Sequence, residues 1–196
     1  MIPFSNAVPQ PFDVTENAIK FVGEEDGVFN NEDHILFFAQ GPKGFNEESN
    51  TNINIYTDRT FYYLNVSGTP GKRITPITVA TGATTEVIDT FEDYIFHEED
   101  IHNIGALGRR WFGERFNVNA EQTFSFNIPD IVTATPIDLR VYMASQSSRT
   151  TKMQIDVNGV LEADLFFGAN TDIVFARGTN YINKINVTNP QIDITL

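Results

Sequence analysis

The sequence contains no cysteine among its 196 residues. This absence excludes disulfides, thiolate metal sites and a cysteine nucleophile within the chain. Long apolar runs are missing too, because no stretch reaches the roughly 18 apolar residues that a membrane-spanning helix needs. The first residues also lack the basic and apolar regions of a signal peptide. If the protein is exported, we therefore expect this chain to be part of a longer one.

Positive charge is scarce as well. The chain carries 13 Lys and Arg against 26 Asp and Glu, which gives a formal net charge of −13. The excess lies in residues 1–100, which hold 17 acidic and 5 basic residues, whereas residues 101–196 hold 9 and 8. We expect most of these acids on a solvated surface. Because an acidic field repels phosphate backbones, the composition predicts no nucleic-acid partner.

Helical periodicity is almost absent, and the apolar segments are short. The 17 phenylalanines, against one tryptophan and three methionines, favour a core of rings and β-branched side chains in strands. Turn residues recur about every 8–12 residues, which predicts an all-β sandwich or barrel. The segments predicted as strands are Ala18–Val22, His34–Ala39, Ile53–Tyr56, Thr60–Val66, Lys72–Ala80, Thr123–Ile128, Ile137–Ala144, Lys152–Val157, Leu161–Phe167, Asp172–Ala176, Tyr181–Val187 and Gln191–Leu196.

A small, polar stretch near residues 81–90 predicts a boundary between two antiparallel β modules. The first module spans residues 1–85 and the second residues 86–196. Clean alternation in the second predicts a jelly-roll-like β-sandwich with one face in water. Its last strand stops without a turn, so we expect the module to lack its last strand or strands and to leave an open edge. Acids in a first turn and a glycine near the end predict one short helix at residues 97–105.

The segment Ile35-Leu36-Phe37-Phe38 is apolar on both faces, unlike the alternating strands. This pattern predicts a central strand that is covered on both sides. The acidic segment before it is then a solvated loop. Gly41-Pro42 ends the strand, because proline cannot donate a hydrogen bond to a ladder.

The Asn158-Gly159 pair predicts a hairpin with two alternative registers. A two-residue loop would set charged residues opposite Met153 and Ile155, whereas a three-residue loop that includes Val157 keeps apolar residues together. Because a one-residue slip moves every side chain to the other face, burial favours the three-residue loop with Gly159 in a left-handed bulge. The predicted pairs are Ile155 with Leu161, Met153 with Ala163 and Lys152 with Asp164.

The acidic segment Glu24–Asp33 has oxygen donors and a central glycine, as a calcium loop needs. The calcium candidates are Asp26, Asn30 and Asp33. Their spacing departs from the EF-hand pattern, so the favoured alternative is an Asp-Gly turn in a polar loop.

No constellation for catalysis is found in the sequence. The histidines are His34, His97 and His102, and we expect them to face solvent, because a metal pair on a helix prefers a spacing of four residues rather than five. Neither Ser67 nor Ser145 has a histidine or an acid beside it, and no nucleophile elbow is present. The sequence therefore predicts no catalytic residue and no enzyme within this chain.

The densest mix of aromatic and charged residues is Gly108–Phe116, which holds the only tryptophan and three arginines. The favoured interpretation is structural, with the tryptophan in a core and an arginine paired with Glu114. The second is docking against another domain, since Trp and Arg are enriched at binding hot spots. A sugar-stacking site is a third alternative, which no regularly spaced second ring supports. The interface candidates are Arg109, Trp111, Phe112 and Glu114.

Several segments, taken in order, resemble one known protein region. They are Val22–Pro42, Asn54–Asp58, Thr60–Leu64, Gly71–Ile74, Gly108–Glu114 and Val157–Gly159. The similar region precedes the peptidase domain in the gingipain-like sortase of the type IX secretion system, the PorU-type proteins. The resemblance extends over most of the chain, from about Ala18 to Leu196.

The resemblance implies a parent protein that is a cysteine endopeptidase at the surface of a Gram-negative bacterium. Such a protein removes C-terminal sorting signals from cargo and helps attach the cargo to surface lipopolysaccharide. Its catalytic Cys and His lie downstream of this region, so the resemblance implies no catalytic residue here. The implied partners are the downstream peptidase domain and secretion-system proteins or cargo. The alternative function is a free-standing β-sandwich module that binds carbohydrate or protein.

Overall fold

A computed structural model describes residues 13–45, 51–54, 57–79, 81–106 and 110–196. The chain divides into two compact units, unit 1 (Met1–Tyr94) and unit 2 (Ile95–Leu196). The sequence places the boundary earlier, between residues 85 and 86, and that position stays a prediction. Each unit has its own sheets.

All of the described strands pair in antiparallel fashion. The strands are β1 (Ile19–Val22), β2 (His34–Phe37), β3 (His102–Asn103), β4 (Trp111–Phe112), β5 (Thr123–Asn127), β6 (Ile137–Ser145), β7 (Thr151–Val157), β8 (Val160–Phe167), β9 (Arg177–Ile185) and β10 (Gln191–Thr195). Within the described ranges there is no α-helix, and brief 3-10 segments occur at Glu24–Asp26 and Ile104–Ala106. The all-β class predicted from the sequence is confirmed.

Unit 1 contains a two-stranded sheet, in which β1 and β2 pair along their whole lengths. β1 also makes one parallel bridge, between Ile19 and Arg73. The prediction that Ile35–Phe38 is a central strand covered on both sides is wrong. Leu36 and Phe38 are 50% and 71% exposed, and β1 is the one strand that pairs with β2 in the described chain. Apolar residues on both faces of a strand favour its burial, but the elements that would bury it have to come from other parts of the fold.

Three further strands predicted in unit 1 are not formed by its described residues. Ile53–Tyr56 lies partly outside those residues, whereas Thr60–Val66 and the described part of Lys72–Ala80 form no ladder. Their apolar side chains are exposed, as for Ile77 at 92% and Val79 at 81%. Because cross-strand pairs are what stabilise a sheet, alternation without a partner segment leaves an irregular extended chain.

Unit 2 is built from three nested strand pairs: β5 with β10, β6 with β9, and β7 with β8. β10 also pairs with β7, which gives a four-stranded sheet of order β5-β10-β7-β8 beside the two-stranded sheet β6-β9. The expectation of an open edge at the last strand is therefore wrong. β10 has a neighbour on each side: β7 on one side and, on the other, β5 from much earlier in the chain. Asp172–Ala176, predicted as a strand, is irregular, and β9 begins directly after it.

The two sheets of unit 2 share one hydrophobic core. β6 and β9 contribute Met143 and Ile185 from one sheet, and Ile155 of β7 is completely buried in the other. The alternation of apolar and polar residues predicted for these strands places one face of each sheet in this core. The buried members are Met143, Ile155, Val157, Phe167, Ile185, Val187, Ile192 and Ile194.

The β7–β8 hairpin corrects the predicted register. Val157 pairs with Val160, so the loop is the two-residue pair Asn158-Gly159. Both loop residues have positive φ, 51° and 78°, as a type I′ turn requires. A bulge close to the turn then shifts the pairing by one residue, and Ile155 lies opposite Ala163 on the apolar face. The type I′ turn and the burial of Ile155 are compatible because the bulge shifts the strand pairing by one residue.

The extra residue of this bulge is Glu162, which the strand register skips. Its Oε1 accepts a hydrogen bond from the hydroxyl of Tyr181 on β9 at 2.6 Å. Burial and the nearby Glu162 carboxylate raise the pKa of Tyr181. The bulge residue therefore links β8 in one sheet to β9 in the other.

The short helix predicted at residues 97–105 is wrong. Residues 97–101 have no regular structure, and β3 follows them directly. Gly105 has a left-handed φ of 72° that interrupts the brief 3-10 segment. The main-chain N–H of Ile101 donates to the carbonyl of Phe112 at 3.1 Å. Pairing with β4 therefore replaces the local hydrogen bonds that a helix would form.

Candidate functional site

The described interface candidates lie on a short hairpin of unit 2. We call it the Trp111 hairpin and define it as residues 97–106 and 110–116. Its strands, β3 and β4, pair through two residue pairs, one of which joins Asn103 with Trp111. Arg109, the remaining candidate, lies outside the described residues. The structure thus brings Trp111 and its neighbours onto a β-hairpin rather than onto a helix.

Trp111 and Phe112 follow each other in β4, so their side chains point to opposite faces of the hairpin. Trp111 is 37% exposed, whereas Phe112 is half-buried. Trp111 is therefore neither fully buried in a core nor fully exposed. This arrangement fits both the structural interpretation and the docking interpretation of the segment.

Glu114 is engaged within unit 2. Its Oε1 lies 2.5 Å from Nε2 of His97, and the His97 ring contacts Phe124 of β5 with centroids 4.9 Å apart. Gly113 permits a close approach of Glu99, since a Cβ at Gly113 would lie 3.1 Å from the Glu99 carbonyl oxygen. His97 is 39% exposed, as the sequence predicts, but it also has a specific partner in Glu114. Its partner is 17 residues away, a separation at which the sequence carries no local signal.

The arginines of the hairpin have partners other than the predicted Glu114. The guanidinium of Arg110 lies 4.7 Å from the ring centroid of Tyr142 on β6, which is a cation–π contact. Nη2 of Arg115 lies 3.3 Å from Nδ1 of His102. The side-chain partner of Glu114 is a histidine instead. Arg110 therefore attaches the hairpin to β6, whereas the Arg115 contact lies within the hairpin.

Asp100 is a half-buried carboxyl of the same hairpin. Burial raises the pKa of Asp100, and the nearby Glu98 carboxylate raises it further, whereas Arg110 opposes the shift. The Oδ2 atom of Asp100 is buried and accepts no hydrogen bond from the described residues. Folding therefore places an ionised carboxylate, at neutral pH, where its charge is disfavoured.

Asp100→Asn is expected to raise the stability of unit 2 near pH 7. Because folding raises the pKa of Asp100, the protonated form of this carboxyl stabilises unit 2. That contribution is fully present below the unfolded pKa of about 3.9 and is lost as pH rises through the folded pKa. The charged form thus weakens the fold at neutral pH. Allowing for solvent screening and the lost attraction to Arg110, we expect a gain of about 0.5 kcal/mol. Urea unfolding monitored by Trp111 fluorescence measures it, with no gain expected near pH 3. A loss at pH 7 would mean that the Arg110 attraction outweighs burial.

The acidic loop of unit 1 uses its side-chain oxygens on its own backbone. Asp26 Oδ1 accepts the N–H of Val28 at 2.9 Å, Asn30 Oδ1 that of Glu32 at 3.0 Å, and Asp33 Oδ2 that of Asn30 at 2.8 Å. Such contacts are typical of turns. Among the described residues no group of three or more His, Cys, Asp or Glu is arranged to hold a metal. These contacts favour the polar turn over the calcium site.

Unit 1 also presents a group of apolar side chains, the Phe37 patch, which consists of Leu36, Phe37, Phe38, Phe61 and Tyr62. The rings of Phe37 and Tyr62 are 5.4 Å apart and tilted by 50°. The Tyr62 hydroxyl accepts the N–H of Gln40 at 2.5 Å and donates to its carbonyl at 3.0 Å. Beside these contacts, residues 39–42 and 58–62 line an open groove of about 530 Å³. Within the patch, Phe37 and Tyr62 are thus held together beside the groove.

Comparison with protein-family models, with curated proteins and with solved structures gives no match for the chain. The resemblance to the type IX sortase region therefore depends on the residues quoted for it and on their order. In the described part of the chain, no helix has the length and apolar content that crossing a bilayer requires.

Proposed function

We propose that this chain is a non-catalytic, β-rich part of a cell-surface cysteine endopeptidase of the gingipain-like, type IX sortase kind. In this role the two units brace or dock the downstream peptidase domain. The sequence has no cysteine, so the catalytic nucleophile belongs to another part of the parent protein. Removal of sorting signals from cargo at the cell surface is then the activity of the whole protein.

The observation that carries this proposal is the Phe37 patch. The strand β2 is apolar on both faces, yet Leu36, Phe37 and Phe38 are 50%, 46% and 71% exposed. Consecutive strand residues such as Leu36 and Phe37 point to opposite faces. Exposed apolar side chains on both faces mark interaction sites, and a two-stranded sheet is marginally stable by itself. A neighbouring domain that covers the Phe37 patch would bury these apolar side chains and stabilise the two-stranded sheet. The acidic excess of residues 1–100 favours a neighbour with a basic rim.

The strand order of unit 2 supports the jelly-roll assignment within this proposal. Three nested strand pairs are what one long hairpin produces when it rolls into two sheets. The four-stranded sheet is complete, whereas the second sheet has two strands. A full jelly roll has a fourth nested pair, and in this chain the two-residue turn between β7 and β8 takes its place. A self-contained core also favours the second candidate function, a free-standing module that binds carbohydrate or protein.

Reading the gene beyond the codon for Leu196 tests the assignment first. We expect an open frame that reaches a domain with Cys and His. The purified downstream domain should then bind this chain in isothermal titration calorimetry. Replacing Phe37 and Phe38 together by serine should weaken that binding at least about tenfold, because both side chains would be buried in the complex.

The matched control is Phe175→Ser, which makes the same chemical change at a 59% exposed residue of unit 2. It should bind like the unchanged chain. A stop codon after Leu196 would contradict the proposal and favour the free-standing module. Equal weakening by the control would remove the Phe37 patch as the docking surface.

A further inference from the structure

A shallow polar basin lies on unit 2, with a volume of about 410 Å³. It sits on the outer face of the four-stranded sheet, where β5 and β10 meet the β7–β8 turn. The residues that matter are Asp193, Asn158, Gln191, Ser125, Thr123 and Thr195. The fold collects them from three distant segments of the chain. The basin has no part in the proposed docking of unit 1.

Asp193 is held in one orientation within this basin. Its Oδ1 accepts hydrogen bonds from Ser125 Oγ at 2.7 Å and from Gln191 Nε2 at 3.0 Å. These two donors, Gln191 first, lower the pKa of Asp193, so the carboxylate is ionised at neutral pH. Its Oδ2 accepts no hydrogen bond from the described residues. The side chain is therefore fixed through one oxygen and presents the other as an acceptor.

Asn158 is fixed in a complementary way at the turn. Its Oδ1 accepts the main-chain N–H of Asp193 at 2.8 Å, and its own N–H donates to the Asp193 carbonyl at 2.8 Å. Because the amide oxygen is occupied, the Nδ2 group is presented as a donor. Thr123 and Thr195 add two hydroxyl groups whose oxygens are 2.9 Å apart. The basin thus offers donors and acceptors in fixed positions.

We propose that this basin binds a neutral sugar through at least two of its hydroxyl groups. A sugar hydroxyl both donates and accepts, which matches the Asp193 acceptor and the Asn158 donor. A hydroxyl that donates to a carboxylate forms a strong, charge-assisted hydrogen bond. Anions are repelled by Asp193, and calcium prefers an all-oxygen shell, which the amide donor interrupts. The inference does not depend on the bracing role.

Amide NMR titration of the whole chain with methyl α-mannopyranoside and methyl β-galactopyranoside tests the inference. We expect saturable shifts at Asp193, Asn158 and Gly159 with at least one glycoside. The dissociation constant should be on the order of millimolar, because no aromatic ring lines the basin. Asp193→Asn keeps the size of the side chain and should weaken binding at least about tenfold. Asp164→Asn, the same change at an exposed residue of β8, should leave binding unchanged.

If Asp193→Asn does not fold, Asn158→Gly serves as the second variant, since glycine accepts the positive φ and lacks the amide donor. Absence of shifts with both glycosides up to about 100 mM would overturn the inference. Equal binding by a folded Asp193→Asn variant would do the same. Saturable shifts of these residues with calcium chloride, without a response to either glycoside, would replace the sugar site by a cation site. None of these outcomes bears on the Phe37 patch, which lies in unit 1.

Discussion

Replacing Ile155 by alanine is expected to lower the free energy of unfolding of unit 2 by about 3–4 kcal/mol. Ile155 is completely buried, and its side chain packs in the core that both sheets share. The substitution removes apolar contacts and leaves a cavity that a tightly paired β7 cannot close. A domain has only about 5–15 kcal/mol of stability in total, so this loss is a large fraction of it.

Urea unfolding followed by Trp111 fluorescence measures this effect in unit 2, because the single tryptophan lies there. The matched control is Ile173→Ala, the same change at a residue of unit 2 that is 89% exposed. The control should shift the free energy of unfolding by no more than about 0.5 kcal/mol. A loss at Ile155 no greater than at Ile173 would mean that the shared core does not stabilise the unit.

Gly159→Ala is expected to destabilise unit 2 by about 1–2 kcal/mol. Gly159 has a φ of 78° at the second position of the two-residue turn, and a Cβ makes this left-handed conformation unfavourable. No heavy atom lies within 4 Å of where the Cβ would be, so the cost arises from the backbone rather than from a clash. Urea unfolding of the two proteins gives the difference directly.

Gly178→Ala is the control for this prediction and should have the opposite sign. Gly178 lies in β9 without a left-handed φ, and its added Cβ would meet only an ordinary contact at 3.8 Å. Alanine there should stabilise by about 0.4–1 kcal/mol, because it restricts the unfolded chain. If Gly159→Ala were also stabilising, Gly159 would not have the left-handed φ that the type I′ turn requires.

The Trp111 hairpin shows how far the sequence predicts a candidate site. The unusual composition of Gly108–Phe116 identifies the segment, and Glu114 does have a side-chain partner. The partner is His97 rather than an arginine, and Arg110 lies over Tyr142 of a distant strand. Residue type predicts that a charge needs a partner. Which partner it meets depends on segments that the fold brings together.

The polar basin is a site that the sequence did not indicate. The Asn-Gly pair was identified as a turn signal, but nothing near it in sequence points to Asp193, 35 residues away. Their hydrogen bonds arise because β10 pairs with β7 next to the turn, which places Asp193 beside Asn158. By contrast, the turn in the acidic loop of unit 1 was predictable. Its contacts span only two or three residues.

The sequence by itself determined the all-β class, the strand segments that form the core of unit 2, and a turn at Asn158-Gly159. Alternation and turn chemistry are properties of a few neighbouring residues, so they can be read locally. Only the tertiary structure decided the bulge that sets the hairpin register, the position of β10 inside its sheet, and the exposure of Leu36, Phe37 and Phe38. Strand partners and covering layers are supplied by residues far away in the chain. Local sequence patterns indicate which surfaces are apolar enough to favour burial, and the tertiary structure determines which of them are buried.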